Sequence, residues 1–550
     1  MLYLIYLAFI VFILVMLTIA GRLARRKVIC IYGKVAMQSS QPSSRLSTEG
    51  TQQNLPPATN VAPHRDGYQW TALSVTTVGA LLASIQGSAL LIALPNILAD
   101  LHISFFTIMW VLMGYLLITT VLTPVIGRLA DIWGRKRLYN SGFVMFSLGS
   151  LIAGLAQPQF HGADIIFGRV VQGVGGALMV TNSTAIVTDA FRKGQVGLGL
   201  GVNQIAGAAG FLLGPIIGGL LTEISWRWVF LFNVPLGVFG VIWGIMRLRE
   251  PARPVVKQHI DWFGCITLTV GLTGVLLALT MIAFPMLSEP VTIAILVVGI
   301  VSLLLFAIYE PRIKEPIVQL QLFKDRLFTL ANLSGLLNGI ARGAVLFLLI
   351  FFLQGPYGQD PLRAGLMLTP FGLAFMIIGP ISGRLSDFVG SRLLTPIGLA
   401  ISALGLLGLT TVSPTTPYWL LSIYMVLMGG GSGFFAAPNT NAIMSSVRPN
   451  MRGAAAGILS MLNNTGQMLS IAIVFPLALS AVPMAAMMQV FIYGGGMSKY
   501  PAALAIFLHG LHNAFLVSFA LSVVAMIVAA LRPSHGRLKE ARVGVKEATN

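Results

Sequence analysis

Charged residues are scarce in this chain. Only 9% of its 550 residues are Asp, Glu, Lys or Arg, whereas 56% are hydrophobic and the mean hydropathy is +0.84. A soluble globular domain carries about 25% charged residues. The composition therefore excludes an ordinary soluble domain and predicts a polytopic membrane protein.

Cysteines and the motifs of common catalytic sites are rare or missing in the sequence. Cys30 and Cys265 are the only cysteines, so the chain cannot build a disulfide framework or a cysteine-rich metal site. The sequence has no recognisable nucleophile–base arrangement and no Gly-x4-Gly-Lys phosphate loop. These absences weigh against a membrane enzyme and an ATP-driven pump, and they predict no cofactor and no bound metal.

Basic residues outnumber acidic residues by 35 to 17, which gives a formal net charge of +18. In a soluble protein this excess would suggest a nucleic-acid partner. Here the basic residues lie in alternate loops between apolar segments, a pattern that sets membrane topology, so no nucleic-acid partner is expected. The loops predicted to be cytoplasmic carry Arg135 to Arg137, Arg192 and Lys193, Arg247 to Lys257, Arg312 to Arg326, Arg392, Arg448, Arg452, and the tail from Arg532. Both ends of the helical core then face the cytoplasm of a multi-pass protein in the plasma or inner cell membrane.

Fourteen apolar runs are long enough to cross a bilayer, which takes about 20 residues at a rise of about 1.5 Å per residue. Their approximate limits are 71–94, 106–130, 138–156, 164–189, 196–222, 228–248, 263–285, 290–309, 327–353, 361–384, 393–411, 417–440, 453–482 and 503–531. The simplest partition is six spans, two inserted spans and six spans. The predicted domains are an N-terminal segment 1–70, a first bundle 71–250, two linker spans 251–312, a second bundle 313–532 and a cytoplasmic tail 533–550.

A further apolar run occupies residues 2–20, ahead of the core. Its basic residues follow it, between Arg22 and Lys27, whereas a cleaved signal peptide has them in front. These charges favour an uncleaved anchor, joined to the core by a disordered Ser-, Gln- and Pro-rich linker from Gln38 to Pro63. The alternative is that translation begins at Met37, in which case the anchor does not exist.

A ten-residue phrase recurs in the sequence, beginning at Gly127 and at Gly383, an offset of 383 − 127 = 256 residues. The two copies share Gly, Arg, Leu, Asp and Gly at identical spacing. A repeat indicates a duplicated unit, and two related halves are typical of transporters with a site between them. Asp131 and Asp387 can pair with an arginine or cap a helix, so we expect the phrases to gate the cytoplasmic side; the alternative is a clamp that only fixes topology. The predicted gating residues are Gly127, Arg128, Asp131, Gly134, Arg135, Gly383, Arg384, Asp387 and Gly390.

Small residues form a stripe along the fifth span. Gly210, Gly214 and Gly218 are spaced by four, which places them on one helical face where another backbone can approach closely. Pro215 removes a backbone hydrogen bond and bends the helix, and Gly219 extends the glycine-rich stretch. Helix packing alone would explain this pattern, but the phrase is also specific enough to compare with known families.

An arginine lies several residues inside the fourth span. Arg169 is followed by Gln172 and a run of glycines. A charge inside a span is costly and is a functional candidate by default, either for substrate or for a proton carrier. The alternative is that Arg169 extends its head group to the outer surface.

These phrases together resemble a known family. The repeated phrase resembles the loop motif of the major facilitator superfamily, the stripe around Pro215 its antiporter motif, and the sequence around Arg169 its fourth-span motif. With fourteen spans, the chain resembles the fourteen-spanner drug:proton antiporters over about residues 71–530. The resemblance implies an all-α membrane protein of the major facilitator fold, with two six-helix bundles and a two-helix insertion. Further phrases that carry it are Trp226 to Gly237, Asp261-Trp262 with Gly264, Glu315 to Arg326, Ala437 to Thr440, and Arg452 to Ala455.

The first span departs from that family. The family has an Asp and, five residues later, an Asn before Ala-Leu-Pro, whereas this chain has Gln86 and Leu91 before Ala93-Leu94-Pro95. None of the fourteen predicted spans has an acidic residue deep in the membrane. Proton coupling is therefore in doubt, and it would have to use a peripheral group such as Asp131, Asp189 or His509, or the substrate's own proton.

Polar residues within the spans are the candidates for substrate binding or coupling. A buried cation needs a counter-charge, so a chain that keeps arginines among amides and lacks embedded carboxylates is expected to prefer neutral or weakly anionic amphiphiles to permanent cations. His509 is the neutral-pH titratable group of the set. The candidates are Gln86, Arg169, Gln172, Asn203, Gln204, Asn338, Arg342, Asn463, Asn464, Gln467 and His509.

The sequence thus predicts a gradient-driven exporter of amphipathic small molecules, with the lipid bilayer as its environment and protons as a conceivable co-substrate. Two alternatives stay open. One is a uniporter or metabolite exporter without proton coupling, and the other is a non-transporting sensor on the same fold. A sensor would be expected to lose the gate phrases and to gain a signalling domain, whereas both phrases are intact here.

Overall fold

A computed structural model describes residues 67–191, 196–250, 261–313, 316–448, 451–479 and 501–533. The predicted anchor and linker up to residue 66, residues 251–260 of the linker region and the tail from residue 534 lie outside the described residues. Within the described part the secondary structure is helical and contains no strand, which confirms the all-α fold class.

Helices lie at all fourteen predicted positions. They are α1 Tyr68–Leu101, α2 Phe105–Trp133, α3 Arg135–Gly154, α4 Ala163–Ala190, α5 Val196–Ile224, α6 Arg227–Leu231 with Asn233–Arg247, α7 Trp262–Ala283, α8 Glu289–Tyr309, α9 Arg326–Arg342 with Val345–Gln354, α10 Pro361–Met367 with Thr369–Val389, α11 Ser391–Leu409, α12 Tyr418–Ser446, α13 Arg452–Leu479 and α14 Pro501–Ala530. Within the described residues, 13 helical spans are long and apolar enough to cross a membrane. The remaining helix, α3, begins with basic and polar residues, which lowers its hydropathy.

The first and last six helices pack in the same pattern. In the first bundle α1 lies on α5, and α4 lies on both α2 and α3; in the second, α9 lies on α13, and α12 lies on both α10 and α11. Helices α7 and α8 form a hairpin between the bundles in sequence, and α7 contacts α2 of the first bundle and α13 of the second. The inserted hairpin therefore packs, through α7, on both bundles.

The duplication extends to the contacts that hold each bundle together. A Cβ built at Gly175 in α4 would lie 2.4 Å from the Phe146 backbone nitrogen in α3, and one built at Gly431 in α12 would lie 2.3 Å from the Ser402 nitrogen in α11. The two glycines are separated by the same offset as the repeated phrase (431 − 175 = 256), and so are the two residues that they contact (402 − 146 = 256). The backbones touch at these points because neither glycine has a side chain.

Helix α9 is interrupted inside the second bundle. Its two segments are separated at Gly343 and Ala344, and the Ala344 N–H donates to the Ser470 hydroxyl of α13 at 2.8 Å. Backbone groups inside a membrane protein need internal partners, and this hydroxyl supplies one where the helical pattern stops. Arg342, the last residue of the first segment, lies beside the interruption.

Candidate functional site

The two bundles meet at one end of the molecule. We call the end that holds the α2–α3 and α10–α11 turns the basic end, and the end that holds the α9–α10 loop the opposite end. Three glycines spaced by seven on one face of α10 show how the bundles separate. A Cβ built at Gly365 would lie 2.2 Å from the Pro215 oxygen of α5, and one at Gly372 would lie 2.6 Å from Leu212, whereas one at Gly379 would have nothing within 4 Å. The bundles are thus in contact near the opposite end and diverge toward the basic end.

Other contacts across the bundles also lie toward the opposite end. The Gln354 side chain at the end of α9 donates to the Ile92 carbonyl of α1 at 2.9 Å. Phe105 at the start of α2 lies 6.1 Å from Phe475 of α13 and 6.2 Å from Phe351 of α9, measured between ring centroids. Phe284, which follows α7, lies 6.1 Å from Phe105, so the insertion joins the same aromatic cluster.

A small apolar cavity lies between the bundles, next to these contacts and on their basic-end side. In its lining, Phe211 of α5 and Phe371 of α10 contact each other edge to face across the bundle interface, with their ring centroids 6.3 Å apart. One hydroxyl, that of Ser88, faces an otherwise apolar lining. The lining residues are Ser88, Leu91, Phe211, Leu212, Pro215, Leu346, Leu368, Phe371 and Gly372.

The predicted glycine stripe of α5 faces α1. A Cβ at Gly210 would lie 2.8 Å from the Leu81 oxygen, one at Gly214 would collide with the Ser88 hydroxyl, and one at Gly218 would lie 2.5 Å from the Ala89 oxygen. Pro215 and Gly219 lie on another face of α5 and contact α10 across the bundle interface. The stripe therefore packs α5 closely on α1, while its neighbours meet the second bundle.

Polar candidates of the second bundle lie along α9 and α13. Gly339 and Gly343 of α9 pack against Gly466 and Gln467 of α13. Arg342 is partly exposed, and its guanidinium carbon lies 5.7 Å from the centroid of the Phe375 ring in α10. The remaining candidates of this group are one buried amide, that of Asn338, and the partly exposed amides of Asn463, Asn464 and Gln467.

Two polar candidates of the first bundle, Gln86 and Asn203, form hydrogen bonds with side chains of neighbouring helices. Gln86 is only 2% exposed, and its oxygen accepts a hydrogen bond from the amide of Asn233 in α6. Asn203 donates to the Ser183 hydroxyl at 2.9 Å and accepts from Thr77 at 3.1 Å, which links α5 to α4 and α1. These partners place both amides at helix contacts.

Gln204 and His509 are the last two predicted candidates. The side chain of Gln204 lies outside the described part of the structure, and His509 is exposed on α14. The neighbouring His512 is bonded through Nε2 to the Val412 carbonyl at 2.7 Å.

Arg169 is enclosed in the first bundle. It is 2% exposed; its Nε donates to the Val111 carbonyl at 2.9 Å, and its Nη1 donates to the side-chain oxygen of Gln172. Gln172 in turn donates to the Ser150 hydroxyl at 2.7 Å, and the guanidinium carbon lies 4.6 Å from the centroid of the Tyr115 ring. The alternative of a head group reaching the outer surface does not hold, because this network keeps the guanidinium between α2, α3 and α4.

The repeated phrases form matching turns with different surroundings. Gly134 and Gly390 have φ of +99° and +87°, a backbone conformation that favours glycine. Arg135 forms an ion pair with Asp189 at the end of α4. The corresponding positions of the second half, 256 residues later, hold Ser391 and Ser445, so this pair of charges has no counterpart there.

The side chains of three predicted gating residues, Arg128, Asp131 and Asp387, lie outside the described residues. The first glycine of each phrase packs within its own bundle. A Cβ at Gly127 would lie 3.7 Å from Thr181 in α4, and one at Gly383 would lie 3.3 Å from Ala437 in α12. Arg384 is exposed.

Three further residues were not selected from the sequence. Asn233 is the partner of Gln86, and the sequence marked it only as one position of the phrase from Trp226 to Gly237. Glu250 lies where a side chain at Gly134 would be, 2.6 Å from a Cβ built there, and it accepts a hydrogen bond from the Lys136 N–H at 3.4 Å. Glu250 could have been identified from the sequence, because it is an acidic residue in the otherwise basic stretch from Arg247 to Lys257.

The third is Arg532, which the sequence assigned to the basic tail. It is 1% exposed and donates to the hydroxyl of Ser334 and, at 2.6 Å, to the side-chain oxygen of Asn439. Burial lowers the pKa of Arg532 to about 10, which still leaves it charged at neutral pH. It therefore ties the end of α14 to α9 and α12, so it is a packing residue as well as a basic one.

Comparison of the sequence with known protein families identifies the family of this chain. The chain matches the model of the Major Facilitator Superfamily over residues 76–471 and 333–548. The chain belongs to the major facilitator superfamily. This match confirms the superfamily that the motifs predicted, and similarity to relatives named as multidrug resistance and multidrug transporter proteins confirms the resemblance to its multidrug efflux branch.

Two relatives within the superfamily are about equally similar to the chain. It is 30% identical over 397 residues to the riboflavin transporter RibZ of Clostridioides difficile strain 630, covering 72% of this chain and 85% of that protein. It is 31% identical over 401 residues to multidrug resistance protein 3 of Bacillus subtilis strain 168, covering 72% of this chain and 77% of that protein.

Solved structures of the superfamily share the fold. A bacterial homologue of the human lysosomal transporter Spinster, in an inward-facing and unoccupied conformation, aligns with a TM-score of 0.61 at 15% identity. The alignment covers 85% of this chain and 97% of that one. The protein is therefore a multi-pass membrane transporter of the major facilitator fold.

Proposed function

We propose that the protein exports amphipathic small molecules across the cell membrane by alternating access. The observation that carries this proposal is the cleft between the bundles, which is closed at the opposite end, diverges toward the basic end and contains an apolar cavity. A site between two related halves that rock about it is the arrangement expected of a secondary transporter. Relatives named as multidrug transporters support an amphipathic substrate.

The basic end is proposed to face the cytoplasm, because cytoplasmic loops carry an excess of Lys and Arg. Cysteines placed at Leu287 and Pro414 in a cysteine-free background should then react with an impermeant maleimide added outside intact cells. Cysteines placed at Lys193 and Lys257 should react only after permeabilisation. Labelling of the Lys193 position from outside would overturn the proposed orientation.

Energy is proposed to come from an ion gradient through antiport. The test is transport in proteoliposomes with imposed pH or sodium gradients and a panel of dyes and antibiotics. Gradient-dependent movement of panel compounds supports the proposal, and movement that follows only the substrate gradient supports the uniporter alternative. A protein that moves no member of the panel under any gradient contradicts the export proposal.

Metabolite export is the second candidate function. It is favoured by the similarity to a protein named as a riboflavin transporter. Riboflavin is planar and aromatic, and an aromatic side chain beside the cleft, such as Phe375, suits a flat ligand. Riboflavin should therefore be included in the panel, and saturable movement of riboflavin without movement of drugs would favour this second candidate.

A further inference from the structure

Arg342 lies at the border between the apolar cavity and the wider part of the cleft. It precedes Leu346 by four residues on α9, and Phe375 follows Phe371 by four residues on α10. Residues four apart in a helix lie on one face, one turn from each other. Gly343 and Ala344, where α9 is interrupted, keep right-handed helical dihedral angles (φ −56°, ψ −42° and φ −87°, ψ −15°), which preserves this spacing. Leu346 and Phe371 line the cavity, so the stacked pair of Arg342 and Phe375 lies one turn nearer to the basic end.

The Arg342 guanidinium has no counter-charge from the described residues. No hydrogen bond or ion pair joins it to another described side chain, in contrast to the networks around Arg169 and Arg532. The sequence itself supplies no nearby acid on the surrounding helices, since it has no Asp or Glu between Asp325 and Asp360 or between Asp387 and Glu540.

A cation held within the membrane without a partner is energetically costly, and such residues mark substrate or ion pathways. Arg342 is partly exposed at a cleft that widens toward the basic end, where Gly379 on α10 has nothing within 4 Å of a built Cβ. A molecule entering the cleft from that end can therefore reach the guanidinium before it reaches the apolar cavity.

We infer that Arg342 binds the acidic group of an amphipathic organic anion that enters the cleft from the basic end, with the aromatic body of the anion beside the Phe375 ring. The guanidinium offers planar, bidentate donors to a carboxylate or sulfonate, and the Phe375 ring offers an aromatic contact to the apolar part. This inference rests on the proposed export function and defines the chemical class of its substrate.

A matched pair of fluorescent dyes tests the inference. Anilinonaphthalene sulfonate and phenylnaphthylamine share an aromatic scaffold, but only the first carries a negative charge. Export of each is measured in proteoliposomes for the wild type, Arg342→Gln, Arg342→Lys and the control Arg363→Gln. Arg363 suits this purpose because it lies at the opposite end with its side chain 73% exposed, so its replacement removes the same charge away from the cleft.

We expect the wild type and Arg363→Gln to export both dyes. Arg342→Gln should lower export of the sulfonate at least tenfold while export of the neutral dye stays within about twofold, and Arg342→Lys should be intermediate for the sulfonate. Retained export of the neutral dye also shows that the variant folds.

Several results would overturn the inference. Equal loss of both dyes in Arg342→Gln and Arg342→Lys, or no loss of either, would show that Arg342 does not select the acidic group. A wild type that exports the neutral dye but not the sulfonate would overturn the inference and leave the proposed function standing. A wild type that exports neither dye, nor any member of the drug panel, would contradict both.

Discussion

Arginines show how neighbouring groups decide the role of a single residue. Arg169 and Arg532 are both almost fully enclosed, and each is held by uncharged oxygen acceptors from other helices. Arg342 is partly exposed and faces an aromatic ring. The same residue type therefore joins helices in two places and stays partly exposed beside an aromatic ring in a third.

Arg169 is predicted to be needed for turnover through its planar guanidinium. Arg169→Lys keeps the charge but cannot serve Val111 and Gln172 with the same geometry, so partial transport is expected. Arg169→Ala leaves the Gln172 oxygen unsatisfied and should also lower the melting temperature by several degrees, since such a loss costs about 1–3 kcal/mol. Transport and thermal unfolding of the purified protein in detergent are the measurements.

Tyr115→Phe is the matched control for that prediction. It keeps the ring that lies 4.6 Å from the guanidinium carbon and removes only the hydroxyl, so transport should stay near normal. Tyr115→Leu, which removes the ring, should resemble Arg169→Lys. Normal transport and stability of Arg169→Ala would show that the network is dispensable.

At the scale of helices, glycines determine how closely each pair packs. A side chain at Gly175 would lie 2.4 Å from a backbone nitrogen of α3, which cannot move away as a flexible side chain can. Gly175→Ala is therefore expected to separate α3 from α4 and to lower the melting temperature, and Gly431→Ala should do the same for α11 and α12.

Gly457→Ala in α13 is the control for the packing prediction, because a Cβ there has nothing within 4 Å. Alanine is favoured over glycine in a helix by about 1 kcal/mol, so this variant should be neutral or slightly stabilised. The measurement is thermal unfolding followed by size-exclusion chromatography. A Gly175→Ala protein as stable as Gly457→Ala would contradict the packing geometry.

The repeated turns are predicted to gate transport unequally. Asp131→Asn keeps the size of the side chain and removes its charge, so it should reduce transport while expression stays near normal. Asp387→Asn should reduce transport less, because the second half has serines at the positions that correspond to Arg135 and Asp189. Transport is compared for Asp131→Asn, Asp387→Asn and the double variant, and full transport by the double variant would reduce these carboxylates to topology markers.

At the scale of the whole molecule, the contacts between bundles define one state of a transport cycle. The closure joins α5 to α10, α1 to α9 and α2 to α13, and the inserted helix α7 packs on the α2–α13 side. Release of substrate at the opposite end requires these contacts to separate. The Phe105 cluster and the Gln354 hydrogen bond are the interactions that would have to break.

A cross-link across this closure is predicted to stop transport. The Leu212 Cβ lies 3.4 Å from a Cβ built at Gly372, close to the separation found in disulfides. Leu212→Cys with Gly372→Cys in a cysteine-free background should oxidise readily, lose transport and regain it with reductant. Leu212→Cys alone, treated with the same oxidant, should stay active. Undiminished transport by the fully cross-linked protein would exclude separation of α5 from α10 during the cycle.

The sequence by itself determined the helical class, the fourteen helix positions, the duplication and the family. Each of these depends on local features: apolar runs of sufficient length, motifs at fixed spacing and glycines at points of close approach. Gln86 shows the limit of that information, because its polarity marked it as a candidate but not as the partner of Asn233.

Only the tertiary structure decided which polar groups meet and which face the cleft. Arg532 read as one more basic residue of the tail, and its burial depends on oxygens that lie 198 and 93 residues away in sequence. The position of Arg342 beside Phe375 depends in the same way on the packing of α9 against α10. A sequence gives the residues on each helix face, but the rotation of one helix against another, and the end at which two bundles touch, follow from packing over the whole molecule.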